Sequence, residues 1–367
     1  MKRGYPMASW IAAAMLAASL AAAGPAHAFE ASLSGQVNQL VMWASDGEND
    51  DVFIADNDNS STRFRFKAKE DFDGITAGIR FEMEAERNSS SKLTLPNTGD
   101  GNFNFNDRYL EAYFQARIGK FSIGKGDGAA NGTSETDLSG TSVIMYSGVN
   151  DTSGDFSFVD STTRTKVTKV DATRDNFDGL SRNERLRYDT PQFGGFSLAG
   201  SFTNGDAWEL GGTYAAEFAG HKIAASVGYV DTSDRESGGT PMDYTQIGAS
   251  ASWLAPFGLN LTAAWGQQDF QGAKKAARQA AGNTTDATNY YVKLGYKFDI
   301  HAIAVEYGQT NDLELRDDES SNYGLAYVVK PWKGIELYAA GRVYNLDRTG
   351  ADLEDIRQVM AGTRIKF

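Results

Sequence analysis

Cysteine is absent from the 367-residue chain, and histidine (three) and proline (seven) are scarce. Without thiols there is no disulfide framework and no thiolate metal centre. Long apolar runs are missing too. After residue 28 nothing approaches the roughly 18–20 apolar residues of a membrane-spanning helix, and mean hydropathy is −0.42. A polytopic helical membrane protein is excluded. Positive charge is also in short supply, with 35 Lys and Arg against 48 Asp and Glu. That balance argues against a nucleic-acid partner, because phosphate binding requires a basic face. What the chain does hold is 41% hydrophobic and 12% aromatic residues, including 21 Phe and 16 Tyr. So much apolar surface argues against a disordered chain.

The N-terminus is organised differently from the rest. Met1-Lys2-Arg3 precedes an Ala-rich apolar segment, Met7 to Ala23, and then Ala26-His27-Ala28. A basic start, an apolar run and an A-x-A site form a secretory signal peptide, residues 1–28. Residues 29–367 remain as one domain of 339 residues, with 33 basic side chains against 48 acidic ones and a net charge of −15.

Through that domain the hydrophobic period is two, the signature of strands. Phe64, Phe66 and Ala68 take one side of a segment whose other side holds Arg63, Arg65 and Lys67. Ile75, Ala77, Ile79, Phe81, Met83 and Ala85 alternate with a face bearing Arg80, Glu82 and Glu84. Leu110, Ala112, Phe114 and Ala116 alternate with Glu111, Tyr113, Gln115 and Arg117, and the pattern returns in Ile223–Val230, Tyr290–Phe298 and Ile335–Tyr344. Seven short connections carry turn residues beside an aromatic, such as Asp71-Phe72-Asp73-Gly74 and Pro331-Trp332-Lys333-Gly334. Between them lie longer polar loops, among them Ser45–Ser60, Ser89–Asn106, Gln271–Asp286 and Asn311–Ser321. Seven turns and eight loops join about 16 strands, an even number as a closed transmembrane barrel requires. At 9–11 residues each, about 16 strands use roughly 145–175 residues in the apolar zone, which the domain accommodates. A soluble sandwich is the alternative, but it calls for neither a charged second face nor aromatics at every turn. A barrel in lipid calls for both. Thr363, Ile365 and Phe367 alternate with Arg364 and Lys366, so the last strand is expected to pair with Leu33–Trp43 and close the sheet.

One connection is outsized. Residues 127–182 alternate poorly and far exceed an ordinary loop. The segment carries Asp127, Glu135, Asp137, Asp151 and Asp155, and Thr133–Leu138 predicts a short helix capped by Thr133 or Ser134. Two readings stay open: an exposed surface loop, or an insert folded inward to narrow a lumen too wide for side chains to fill.

The segments Ser34–Asn38, DNDNSSTRFRF (Asp56–Phe66), SIGKGDGAANGT (Ser122–Thr133) and SRNERLRYDTPQFGGFSL (Ser181–Leu198), with Phe367, resemble the trimeric general porins of Gram-negative outer membranes. The resemblance spans the mature chain and is strongest over roughly its first 200 residues. It implies a 16-stranded transmembrane antiparallel β-barrel, a third loop folded into the lumen, and a homotrimer in outer-membrane lipid. It also implies passive diffusion of small hydrophilic solutes. Loop acids facing wall arginines are implied as well, at Glu135 and Asp137 on the loop and Arg63, Arg65, Arg80, Arg185 and Arg187 on the wall.

Other patterns weigh less. Gly124-x-Gly126-x-x-Ala129 matches a dinucleotide fingerprint as a string, but Asn131-Gly132-Thr133 interrupts the helix it needs. Asp56-x-Asp58-x-Ser60 begins like an EF-hand and fails at Ser61 and Lys67. The acidic first loop (Asp46, Glu48, Asp50, Asp51, Asp56, Asp58) or the insert offers irregular oxygens for Ca²⁺, with solvated surface charge as the alternative; no other cofactor is expected. His221 and His301 each follow a short turn and read as structural, and no G-x-S-x-G elbow occurs. Ala273–Ala281 reads as one or two helical turns in a loop. The expected function is therefore a non-enzymatic porin with a slight lean to cations. The alternatives are a channel selective for an anion or sugar, a non-conducting adhesive barrel and, more remotely, an outer-membrane hydrolase.

Overall fold

Alternating side chains can bury nothing in a lone strand, so the strands here find partners on both sides until the sheet meets itself. The computed structural model describes residues 29–367 apart from 98, 100, 234, 238 and 239; the expected signal peptide, 1–28, lies outside the described residues. The first eight strands are β1 (Glu30–Ser45), β2 (in two halves, Asp50–Asp56 and Arg63–Phe72), β3 (Ile75–Glu86), β4 (Asn104–Ala116), β5 (Gly119–Asp127), β6 (Arg182–Asp189), β7 (Phe196–Thr203) and β8 (Trp208–Phe218). The second eight are β9 (His221–Asp231), β10 (Tyr244–Leu254), β11 (Leu259–Phe270), β12 (Asp286–Phe298), β13 (His301–Asn311), β14 (Glu319–Trp332), β15 (Ile335–Asp347) and β16 (Ile356–Lys366). Each pairs antiparallel with its chain neighbours, and β1 pairs with β16 from Gln36↔Lys366 to Ser45↔Arg357. The result is a closed 16-stranded barrel with no free edge. At the seam, Gly35 and Phe367 exchange backbone hydrogen bonds of 2.9 and 3.0 Å.

The outer face is apolar. Val41, Ile54, Ile79, Leu110, Leu198, Val292, Leu325 and Val359 are all exposed. Phe72, Phe121, Phe196, Phe218, Phe257, Phe298 and Trp332 stand exposed around the short-turn end, an interfacial aromatic girdle. The two-residue turn Asp73-Gly74 has φ of 54° and 87°, the left-handed pair that matches the twist of flanking strands. His221 stacks between Phe218 and Trp253, and His301 between Phe298 and Tyr327, at this same rim.

Two expectations need correction here. Ser45–Ser60 is not one loop: Asp50–Asp56 forms the upper half of β2, with Val52 and Ile54 facing out and Phe53 and Ala55 buried. The chain then leaves the wall at residues 57–62 and returns at Arg63. Nor does Thr133–Leu138 form a helix. The Thr136 and Leu138 N–H groups donate to Ser250 and Ser252 (2.9 and 3.0 Å), two residues apart on both sides, which requires extended chain. In the loop after β11 the expected helix does form, at Gly272–Ala280.

Candidate functional site

The long segment after β5 lies inside the barrel. Its first part runs along β8–β11 over Gly211, Gly228, Gly248 and Gly266, which pair directly with one another in register. A Cβ on any of the four would come closer than 3.0 Å to the insert, at Ala129, Thr133, Ser134 or Phe177. These glycines let backbone approach backbone. Beside them a polar seam binds the insert: Ser201 accepts from the Ala129 N–H at 2.8 Å, and Ser250 donates to the Thr133 carbonyl at 2.7 Å.

The second part packs on the opposite wall. Ile144, Met145, Val149, Phe156 and Phe158 bury themselves against Leu40, Met42, Val328, Tyr344 and Met360. A wholly polar lumen is the simplest expectation for a barrel; here the inward faces of β1 and β14–β16 are partly apolar because protein, not water, covers them. Arg342 and Glu306 form a sealed ion pair within this region, Nε to Oε1 2.7 Å, and Arg342 also reaches Thr152 of the insert.

What remains open is a polar gap of about 630 Å³ along β2–β6. The wall supplies Arg63, Arg80, Arg108 and Arg182; the insert supplies Glu135, Asp151 and Asp178. Glu82, fully buried, holds the arginine row together. Its carboxylate meets Arg63 (3.4 Å), Arg65 (2.5 Å), Arg80 (2.9 Å) and Arg108 (3.0 Å). Arg108 also pairs with Glu84 at 2.5 Å. Four guanidinium groups against two carboxylates leave the wall net positive. A second space of about 270 Å³ shares Arg80, Tyr109 and Asp127 with the first and reaches Lys120 and Asp189 near the short-turn end.

The insert acids hold their protons more tightly than free carboxylates. Burial pushes Asp151 up to about 7, with Asp58 adding repulsion, although the Tyr146 hydroxyl donates to it. Burial likewise lifts Asp178 to about 6, against the pull of the Gly132 and Ser134 N–H groups that it accepts. Glu135 lies well above the usual range through burial and its neighbours Asp178 and Asp151.

Of the residues singled out from sequence, Glu135, Arg63 and Arg80 line this gap, and Arg65 joins them through Glu82. Asp137 does not: it is sealed against the Lys293 ammonium, Nζ to Oδ2 2.5 Å, and ties the insert to β12. Arg185 and Arg187 sit at the root of the insert and line the second, smaller space. Arg185 pairs with Glu111 and donates to the Asp127 and Gly124 carbonyls, and Arg187 pairs with Asp189 and donates to the Asp127 and Gly128 carbonyls. Arg108 escaped sequence reasoning because it shares the parity of Leu110, on the outer face. A bulge between Glu82 and Met83 leaves Arg108 without a partner residue on β3 and turns it inward. Asp151 and Asp178 sit in a stretch with no period to reveal them, and Arg182 opens β6.

The fold has counterparts among solved structures. The anion-selective porin from Comamonas acidovorans superposes with a TM-score of 0.63 at 16% identity, over 93% of this chain and 100% of that one. OmpT of Vibrio cholerae in its trimer form gives 0.56 at 15%, over 93% and 100%. The outer-membrane channel DcaP of Acinetobacter baumannii gives 0.58 at 11%, over 92% and 97%. No curated protein matches the sequence. A family model described as Gram-negative porin matches residues 12–349, and by that match the chain belongs to the Gram-negative porin family.

Proposed function

We propose that this porin conducts through the gap between its arginine wall and its insert acids, and that the gap is the constriction for passive diffusion of ions and small hydrophilic solutes. The observation that carries the reading is the opposition of Arg63, Arg80, Arg108 and Arg182 to Glu135, Asp151 and Asp178 across one space of about 630 Å³. Opposed fixed charges set up a transverse field that orders water. A polar solute exchanges into that field, whereas an apolar one has to displace the ordered water. Charge selectivity is set in this gap more than by the net charge of the chain, and so it follows the protonation of the insert acids.

The apolar outer face and aromatic girdle suit an outer membrane, and export through a cleaved leader supplies the route. The assembly is a homotrimer, a reading supported by the trimer form of the similar Vibrio cholerae protein. No catalytic step is assigned. The histidines are held in aromatic stacks at the rim, away from the gap.

Purified, folded protein added to a planar bilayer is expected to give stepwise, ohmic conductance, changed in reversal potential by Arg63→Ala or Arg108→Ala. A silent bilayer overturns the channel reading. Block of the ion current by micromolar sugar or anion would replace it with a substrate-selective channel.

A further inference from the structure

Where β2 leaves the wall at residues 57–62, Asp58 meets the upper end of β3. One carboxylate oxygen from each of Asp58, Glu84 and Glu86 lies within 4.8 Å of the others. No two of these oxygens are further apart than two Ca–O bonds of about 2.4 Å laid end to end, so small side-chain adjustments let one ion meet all three. The cluster has a second property that solvated surface acids lack. Glu86 is only 6% exposed, and its Oε1 is buried without a hydrogen-bond partner. Both polar atoms of the Asn59 side chain, next in sequence to Asp58, are likewise buried and unpartnered. An unmatched buried carboxylate is costly and calls for a counter-charge or a proton.

We propose that Asp58, Glu84 and Glu86 bind one divalent cation of the hard, oxygen-preferring class, Ca²⁺ first among them. The charge balance favours an ion of two charges. Arg108 already neutralises one carboxylate, through Glu84, which leaves two of the three negative charges to be met. The donor set, all oxygen and without imidazole or thiolate, selects Ca²⁺ over Zn²⁺ or Cu²⁺. Access is from the lumen, since Asp58 and Glu84 both line the polar gap while Glu86 stands behind them. Asp58 is held for the task by the Ser89 and Ser91 hydroxyls, which donate to its Oδ2 at 2.9 and 2.5 Å. The neighbouring Ser90 hydroxyl donates to the Asp151 carbonyl at 2.6 Å. A bound ion therefore ties the inward bend, the end of β3 and the following loop together beside the insert.

The proposal does not depend on conduction, so its test is a binding measurement on the folded protein in detergent. After EDTA treatment, titration with CaCl₂ at fixed ionic strength is expected to show one saturable site per chain, with a higher unfolding temperature in Ca²⁺ than in EDTA. Mg²⁺, which demands tighter octahedral geometry, is expected to bind at least tenfold more weakly. Glu86→Gln keeps the shape and is expected to weaken Ca²⁺ binding at least tenfold. Asp58→Asn is a second variant, and the heat-dependent gel mobility of the barrel reports that each has folded. Absence of saturable binding overturns the proposal and leaves a protonated Glu86 as the account of the cluster. Binding of equal strength in the wild type and in folded Glu86→Gln overturns it as well, by placing the ion elsewhere.

Discussion

Lys293 and Asp137 form an ion pair that neither water nor solute reaches: Nζ to Oδ2 is 2.5 Å, and the side chains are 0% and 4% exposed. The ammonium also donates to the Met145 carbonyl at 2.9 Å, so one lysine of β12 fastens two points of the insert. Lys293→Met removes the cation and leaves a buried carboxylate unmatched, a change that costs about 3–5 kcal/mol. The barrel, held by its sheet, stays folded while the insert loosens. Single-channel recordings are expected to show larger, noisier openings, and protease is expected to cut within 128–181 of the folded variant. Steps as quiet as those of the wild type would assign the anchoring to the glycine track alone.

That track can be tested separately. Gly228→Val sets a side chain where Thr133 and Ala130 of the insert already stand, at roughly 1–3 kcal/mol of overpacking. Gly212→Ala is the control: its new Cβ faces outward, 3.4 Å from Leu198, an ordinary contact. We expect the first to raise conductance and lower the unfolding temperature, and the second to change neither. Equal effects from both would mean that the strands, rather than the docked insert, feel the substitution.

The barrel was legible because lipid outside and water inside impose a period of two, and because residues such as Phe72, Phe218 and Trp332 mark the short turns. Its exceptions were hidden for physical reasons. The upper half of β2 is flanked by Asp50, Asp51 and Asp56, whose charge masks Val52 and Ile54 as lipid-facing residues. Arg108 lies on the wrong parity until the bulge opposite Glu82 and Met83 turns it. The insert has no period at all, since each residue answers to a different piece of wall. Asp137 and Asp151 look alike as sequence, yet one meets Lys293 and the other meets the gap. Nor does anything local mark Gly211, Gly228, Gly248 and Gly266 as a track; the reason appears only when the insert lies across them.

Glu82 is the keystone of the basic wall. Glu82→Gln keeps the shape but withdraws the single negative charge shared by Arg63, Arg65, Arg80 and Arg108. Mutual repulsion then spreads the four guanidinium groups, and losing one partner of buried ion pairs costs about 3–5 kcal/mol. The expected readouts are a lower unfolding temperature and a reversal potential shifted towards anions. A shift towards cations would show that the arginines do not face the conducting path.

The insert acids give the channel a dependence on pH. Asp178 is raised to about 6 and Asp151 to about 7, so each carboxyl is neutral below its value and charged above it. At pH 8 both are ionised and offset the arginine wall; at pH 5 both are protonated, and Arg63, Arg80, Arg108 and Arg182 act unopposed by them. Glu135, buried beside Asp178 and Asp151, is raised in the same direction. Under a fixed salt gradient, the reversal potential is therefore expected to move towards anions as the pH falls from 8 to 5, most steeply between 7 and 6. Asp151→Asn is expected to remove the upper part of that titration and to start from a more anion-preferring value at pH 8. A flat profile across it, in protein that still conducts, would place the current on a path that these carboxyls do not border.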